Sequence, residues 1–182
     1  MTRVDLISVD QAPLLARPWY RDDGSASPIT RALAQVPELL DVTMPFIGTL
    51  YEAGAVDLRA KELVILRVSA VNRCRYCVAT HTVAAWDAGL TEAQTAALRG
   101  SAEGLGGRDT ALVAWCDAIS RSGQPVGDEV AARLREHFAE HELVELTLVA
   151  TATLMLNRFC TALELAPTEA TLERLAAAGI EP

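Results

Sequence analysis

The chain has 182 residues, of which 51% are hydrophobic and 22% charged, enough apolar material to fill the core of one domain. Aromatic residues make up only 5%, while alanine and leucine dominate, which favours packed helices and argues against an all-β fold. The 16 basic and 24 acidic residues give a net charge of −8, so the chain lacks the positive field that phosphate groups require, and we expect no nucleic-acid partner.

The apolar segments and the cysteine content predict a cytoplasmic protein that does not contact a membrane. Residues 1–10 are acidic and polar where a signal peptide needs a basic start and an apolar stretch. The longest apolar run, residues 143–156, is interrupted by Glu145 and is shorter than the roughly 20 residues that span a bilayer. Four cysteines are too few for a disulfide scaffold, so a C-x-x-C pair among them points to redox chemistry or to metal binding.

The distribution of proline and glycine divides the chain into two parts. Residues 1–28 are rich in proline and turn-forming residues and show no sustained helical period, which predicts an N-terminal arm that lies over the domain or over a neighbouring subunit. Residues 29–182 show helical spacing of apolar residues and no alternating strand of useful length. We therefore predict one all-α domain with six to eight helices.

The first half of this domain contains the helix that we expect to be central. Helical spacing begins at Ile29, Pro37 is expected to kink or divide the segment, and residues 44–53 are predicted as a further short helix. Asp57 is a good N-cap for a helix that runs to about Asn72. Because this helix is apolar on nearly every side, it is predicted to lie in the core.

The helices that follow are bounded by recognisable caps. One is predicted from about residue 73 or 74 to Ala88, with Gly89 in the position of a left-handed cap. Thr91 and Gln94 have the spacing of a capping box and begin a short helix. Further helices are predicted at about residues 108–121 and 127–137, with a last long helix at about 141–164, followed by a short amphipathic tail over residues 168–178.

Two cysteines and a histidine share one face of the helix that begins near residue 74. Cys74 and Cys77 are three residues apart and His81 follows four residues later, so the two thiols can form a disulfide without unfolding the helix. Backbone N–H groups at the helix start stabilise a thiolate, and Cys77 is the better placed to share its proton with the imidazole. Glu62 lies about as far before the interhelical turn as His81 lies after it, so an antiparallel hairpin brings carboxylate and imidazole together. The result is a Glu-His-Cys relay of the kind that activates a nucleophile.

Other interpretations of these residues are a zinc site and a motif kept only for folding or weak redox sensing. Cys74, Cys77, His81 and Glu62 are chemically sufficient zinc ligands. However, successive turns of one helix and one remote carboxylate make an unusual tetrahedral site, and the chain has no second C-x-x-C pair. We therefore expect no metal.

The two remaining cysteines occupy apolar helical segments. The sequence around Cys116 and Cys160 predicts that both are buried and act as small hydrophobic side chains.

The spacing E-x11-C-x2-C-x3-H, formed by Glu62, Cys74, Cys77 and His81, resembles the signature of the AhpD-like alkylhydroperoxidases within the carboxymuconolactone decarboxylase superfamily. The resemblance runs over about residues 30–160, and its diagnostic part is residues 59–90. Tyr76 stands where some members carry a histidine. A phenol is a poor proton acceptor near neutral pH, so only an accessory role is expected of it.

The resemblance implies an all-α homo-oligomer, trimeric or hexameric, that reduces hydroperoxides. Cys77 would attack the peroxide and become a sulfenic acid, Cys74 would resolve it to a disulfide, and Glu62 and His81 would relay the proton. A lipoylated protein, a thioredoxin-like protein or a small thiol would supply electrons, without a metal, haem or flavin cofactor. A general thiol-disulfide oxidoreductase and a redox sensor without turnover are the alternatives that use the same residues.

Overall fold

The computed structural model of the protein describes residues 2–121 and 123–180. Over these residues the fold is all-α, as predicted, with two short 3₁₀ turns in the N-terminal segment and no β-strand. The nine α-helices are α1 (Pro28–Leu33), α2 (Pro37–Tyr51), α3 (Leu58–Val71), α4 (Arg75–Asp87), α5 (Glu92–Arg99), α6 (Gly107–Arg121), α7 (Asp128–Arg135), α8 (Glu140–Ala162) and α9 (Glu169–Ala177). Nine α-helices in the described part exceed the six to eight predicted, because the six-residue α1 and the C-terminal tail each form a separate helix.

The prediction of a separate short helix over residues 44–53 was wrong. Pro37 does divide the segment, but α2 then continues without a break to Tyr51 and contains Pro45 in its interior. A proline inside a helix removes one backbone hydrogen bond. The buried side chains of Leu40 and Leu50 anchor α2 on both sides of that position, which keeps it one helix.

Helix α3 lies at the centre of the fold and contacts α4, α5, α6 and α8. The carboxylate of Asp57 accepts a hydrogen bond from the backbone N–H of Ala60 at 2.8 Å and caps the helix start, which confirms the predicted N-cap. Four consecutive side chains of α3 are completely buried, so the helix has no solvent-facing stripe in this stretch. They are Leu63, Val64, Ile65 and Leu66.

The caps that follow α4 are also confirmed. Gly89 has φ +95°, a conformation open to glycine, and the N–H of Leu90 bonds to the carbonyl of Ala85, as in a Schellman motif. Thr91 and Gln94 form the predicted capping box at the start of α5. These two caps fix the exit of α4 and the direction of the next helix.

Helix α8 packs through the core beside α3. By length and composition it is apolar enough to cross a bilayer, a test that buried core helices also pass, and half of its apolar window is buried inside the protein. Leu146, Val149 and Ala150 are fully buried in the main hydrophobic cluster. These contacts make α8 a core helix of the domain.

The N-terminal arm runs along α1. The backbone N–H of Ile7 donates to the carbonyl of Arg31, and the Arg31 side chain donates to the carbonyls of Leu6 and Ile7. The N–H of Arg3 reaches the carbonyl of Leu163 just after α8. The arm therefore covers the side of the domain where the end of α8 lies.

A buried ion pair joins α3 to α8. The Lys61 ammonium, with a side chain only 1% exposed, lies 2.5 Å from the Glu145 carboxylate and also donates to the carbonyls of Leu50 and Glu52. The second carboxylate oxygen accepts from the N–H of Val56 at 3.2 Å. Burial raises the pKa of Glu145, but the hydrogen bond and charge of Lys61 outweigh it and hold that pKa below its usual value. The Lys61 ammonium and both oxygens of the Glu145 carboxylate thus have hydrogen-bonding partners.

We predict that Lys61→Met lowers the free energy of unfolding by about 3–5 kcal/mol, because it removes the buried cation that neutralises Glu145 and donates to the carbonyls of Leu50 and Glu52. The double variant Lys61→Met/Glu145→Leu should recover part of that loss, measured by urea denaturation. As a control, Arg133→Met removes the exposed pair with Glu129 and should cost less than about 1 kcal/mol. Equal losses in the core and surface variants would contradict the structural role of the buried pair.

Candidate functional site

A tight turn joins α3 to α4 and sets the register between them. Arg73 adopts φ +56°, the left-handed conformation, and the N–H of Cys74 bonds back to the carbonyl of Ser69 at 3.1 Å. The side chain of Asn72 donates to the carbonyl of Val68 at 2.8 Å. The end of α3 is therefore closed by backbone and side-chain bonds, and α4 returns along it.

The turn brings Glu62 and His81 together, as the spacing predicted. The Glu62 carboxylate lies 2.9 Å from Nδ1 of His81, and the two side chains are 14% and 17% exposed. The edge of the Tyr51 ring packs against the imidazole with 5.8 Å between centroids and an angle of 89°. A carboxylate on Nδ1 leaves Nε2 to exchange a proton, and the aromatic contact restricts rotation of the ring.

The sulfur atoms of Cys74 and Cys77 are 2.7 Å apart, and both residues are buried. Cys74 is the N-cap of α4, where its sulfur accepts a hydrogen bond from the backbone N–H of Cys77 at 3.3 Å. The sequence favoured Cys77 as the thiol with local assistance, but the structure directs this helix-terminal N–H at Cys74 instead. Both thiols are free, and a small approach of the two sulfurs would close a disulfide.

A third thiol, which the sequence analysis missed as a functional candidate, joins this pair from α8. Cys160 is buried as predicted, but its sulfur and those of Cys74 and Cys77 all lie within 4.8 Å of one another. Cys160 is far from the C-x-x-C segment in the chain, so no local spacing signals the contact. It arises because the C-terminal part of α8 packs against α4.

The three thiols share their protons unequally. Hydrogen bonds from Cys160 and then Cys77 lower the pKa of Cys74 to about 3. A hydrogen bond from Cys160 lowers the pKa of Cys77, but its bond to Cys74, burial and the Cys74 charge prevail and raise that pKa to about 12. The bonds that Cys160 gives to Cys74 and Cys77 raise the pKa of Cys160. The reduced cluster is therefore expected to hold one thiolate, on Cys74, with Cys77 and Cys160 protonated.

Asn157 and Arg158 connect α8 to the end of α3. The buried Asn157 amide donates to the hydroxyl of Ser69 at 3.0 Å, and a hydrogen bond from Asn157 also lowers the pKa of Cys77. Arg158 donates to the side-chain oxygen of Asn72 at 3.4 Å. These contacts hold α8 beside the turn that precedes the thiols.

A cavity of about 540 Å³ opens beside the thiol cluster, between the start of α4 and the end of α8. Cys74 and Cys160 both belong to its wall, together with Tyr76 and the basic residues Arg73 and Arg75. Burial raises the pKa of Tyr76, so its phenol stays protonated and serves as a hydrogen-bonding group. The two arginines and the acidic Glu164 are the charged residues of this wall.

Within the described part of the chain, the three thiols also form a group that could hold a soft metal ion. It differs from the zinc set considered from the sequence, because Glu62 and His81 bond to each other.

Comparisons with known proteins agree with this fold. A model of the carboxymuconolactone decarboxylase family matches residues 37–117. An alkyl hydroperoxide reductase of Mycobacterium tuberculosis is 32% identical over 133 residues, which span 65% of this chain and 39% of that protein's length.

Two solved structures show the same fold. The alkylhydroperoxidase AhpD core of a peroxidase-related protein from Ralstonia eutropha superposes with a TM-score of 0.84 at 17% identity, covering 93% of this chain and 94% of the other. The debrominase Bmp8, solved as a cysteine-to-alanine variant in complex with 2,3,4-tribromopyrrole, superposes with a TM-score of 0.81 at 17% identity over the whole of both chains.

The structure defines an all-helical protein with the AhpD-like fold. Within it, residues 37–117 match the carboxymuconolactone decarboxylase family, and the chain is similar to an alkyl hydroperoxide reductase. The proteins it resembles include an alkyl hydroperoxide reductase and a peroxidase-related protein, and a debrominase has the same fold.

We predict that the reduced protein keeps one thiolate at about pH 6, where an ordinary cysteine with a pKa near 8.5 is only about 0.3% ionised. Because the pKa of Cys74 is lowered, its thiolate is present above that depressed value and is lost only as the pH falls towards it. The ultraviolet thiolate absorbance should therefore persist at about pH 6 in the wild type and disappear in Cys74→Ser.

The matched control is Cys116→Ser, which removes a fully buried thiol outside the cluster and should leave this absorbance unchanged. A wild-type absorbance that titrates with a midpoint near the ordinary cysteine value would contradict the shared charge.

Proposed function

We propose that this protein is a thiol-dependent hydroperoxide reductase that cycles Cys77 and Cys74 between dithiol and disulfide, with Glu62 and His81 relaying the proton. The observation that carries the proposal is the convergence on α4 of two thiols 2.7 Å apart and an imidazole paired with a carboxylate. A motif kept only for folding would not need the contact between Glu62 and His81, because an apolar pair could pack the two helices equally well.

In the first step, the thiolate of Cys77 attacks the terminal peroxide oxygen. The O–O bond breaks, the sulfur is oxidised to a sulfenic acid, and the departing alkoxide takes a proton through His81 and leaves as the alcohol. Cys77 reaches its thiolate state by passing its proton to the imidazole of His81, which later gives it to the alkoxide. Glu62 stabilises the protonated ring that forms in this relay.

In the second step, the sulfur of Cys74 attacks the sulfenic sulfur of Cys77. A disulfide forms and the hydroxyl leaves as water after protonation. The lowered pKa of Cys74 supports its role as the resolving thiol, because it is already a thiolate when the sulfenic acid appears.

A reducing dithiol then restores the two thiols. We propose that this electron donor is a lipoylated protein, a thioredoxin-like protein or a small thiol, and that the cycle requires no metal, haem or flavin. The cavity beside Cys74 supports access of such a donor to the disulfide, and its wall includes Arg73, Arg75 and Glu164. A dithiol cycle of this kind fits the reducing cytoplasm, in which we place the protein.

Two other functions would use the same residues. In a general thiol-disulfide oxidoreductase the oxidant is another disulfide and not a peroxide. In a redox sensor, one oxidation event changes the assembly without turnover. The debrominase with the same fold shows that this scaffold also serves other chemistry, so the choice of oxidant needs a direct test.

We predict that a small excess of organic hydroperoxide rapidly converts the reduced protein to a Cys74–Cys77 disulfide, detected by acid quench and non-reducing peptide mapping. Cys77→Ser should abolish peroxide consumption because it removes the attacking sulfur. Cys74→Ser should still react and leave a sulfenic acid on Cys77 that a dimedone probe traps.

The same assay distinguishes the proton relay and the alternatives. Glu62→Gln should slow peroxide consumption by about 10²-fold and give the same disulfide, whereas Glu129→Gln, on the exposed face of α7, should leave the rate unchanged. Rapid exchange with disulfides but not with peroxide would instead identify an oxidoreductase. Slow oxidation in a single event, with a changed assembly, would identify a sensor.

We also propose that the protein works as a homo-oligomer, a trimer or a hexamer. Two helices expose apolar stripes at helical spacing, which a monomer has no reason to maintain. The stripe on α2 consists of Leu39, Val42 and Phe46, and the stripe on α8 consists of Val144, Leu148 and Met155. Further copies of the same chain would cover them.

We predict that Leu148→Glu shifts the protein from this assembly towards monomer in light-scattering measurements, because it places a charge in the apolar stripe of α8. Leu14→Glu introduces the same charge at an exposed leucine of the arm, outside both stripes, and should leave the mass unchanged. A wild-type protein that is monomeric at assay concentration would refute the proposal.

A further inference from the structure

We propose that Cys160 is the third redox thiol of this centre, and that it takes over the disulfide from Cys77 to give a Cys74–Cys160 bond at the wall of the cavity. The inference extends the proposed function, because it adds a step between the oxidation of Cys77 and the arrival of the reductant. It assigns chemistry to a buried thiol that the two-cysteine cycle does not use.

The geometry favours Cys74 as the sulfur shared by both disulfides. All three sulfurs lie within 4.8 Å of one another, so the Cys160 sulfur is a direct neighbour of the Cys74 sulfur. Cys160 and Cys74 also line the same cavity, whose wall does not include Cys77. A reductant that enters this cavity therefore meets Cys74 and Cys160 first.

The step is an ordinary thiol-disulfide exchange. The sulfur of Cys160 attacks the sulfur of Cys74 in the Cys74–Cys77 disulfide, the S–S bond to Cys77 breaks, and a Cys74–Cys160 bond forms. Cys77 leaves as a thiolate and receives the proton that Cys160 gives up. No external oxidant or reductant is consumed, and Cys77 becomes a free thiol again.

The charge of the cluster supports the order of these events. In the reduced protein the bonds that Cys160 gives to Cys74 and Cys77 raise the pKa of Cys160, which keeps it protonated and unreactive. Formation of the Cys74–Cys77 disulfide removes the thiolate from Cys74. Cys160 then has no thiolate beside it to accept its hydrogen bond and hold its proton, so it becomes a nucleophile only after the first disulfide exists.

The first test uses Cys77→Ser, which keeps the pair that should form the second disulfide. Treatment of the reduced variant with diamide, which oxidises neighbouring thiols without a peroxide, should give an intramolecular Cys74–Cys160 crosslink in non-reducing peptide maps. Cys77→Ser/Cys116→Ser is the matched control and should give the same crosslink, because Cys116 lies in the core outside the cluster. Persistent free thiols at Cys74 and Cys160 in a variant with a native circular dichroism spectrum would overturn the proposal.

The second test counts peroxide equivalents without a reductant. The wild type should consume two, because exchange regenerates the Cys77 thiol, and a second sulfenic acid on Cys77 should be trapped by dimedone. Cys160→Ser and Cys160→Ala should each consume one equivalent and stop at the Cys74–Cys77 disulfide. Two equivalents consumed by both Cys160 variants would also overturn the inference.

The two tests separate this inference from the proposed function. If diamide crosslinks Cys74 to Cys160 in Cys77→Ser but the wild type does not react with hydroperoxide, the redox role of Cys160 is supported and the peroxidase activity is refuted. If the wild type reduces hydroperoxide but Cys77→Ser gives no crosslink, the peroxidase activity is supported and the transfer of the disulfide to Cys160 is refuted.

Discussion

The turn between α3 and α4 is the constraint on which the site depends. Its left-handed residue, Arg73, carries a full side chain in a conformation that costs about 1 kcal/mol relative to glycine. The turn places Glu62 within 2.9 Å of His81 and makes Cys74 the first residue outside α4. A longer turn would shift the register of α4 and separate the carboxylate from the imidazole. The strained residue is therefore tied to the geometry of the relay.

The reactivity of the thiols depends on a helix that lies far away in the chain. Helix α8 supplies Cys160 to the cluster, and Asn157 fixes the same part of α8 to Ser69 near the end of α3. The pair between Lys61 and Glu145 holds α8 to α3 nearer its other end. Two polar contacts thus hold α8 against α3 along its length. They also fix the position of Cys160 beside the thiols at the start of α4.

Local chemistry explains what the sequence could predict. The caps at Asp57 and Gly89, the central α3 and the meeting of Glu62 with His81 all follow from residue types within one hairpin, and they were predicted. The continuity of α2 through Pro45 and the approach of Cys160 were not, because both depend on contacts between distant segments. A cysteine in an apolar helix gives the same local pattern whether it faces leucines or thiols.

The placement of the three sulfurs separates the two half-reactions of the proposed cycle. The Glu62–His81 pair is partly exposed and does not belong to the wall of the cavity, whereas Cys74 and Cys160 do. In the proposed cycle, a hydroperoxide would reach Cys77 from outside this cavity, whereas a reductant would enter through it. Transfer of the disulfide from Cys77 to Cys160 moves the oxidising equivalent from one route to the other. Because Cys74 belongs to both disulfides, this one buried sulfur links the oxidation of Cys77 to the reduction at Cys160.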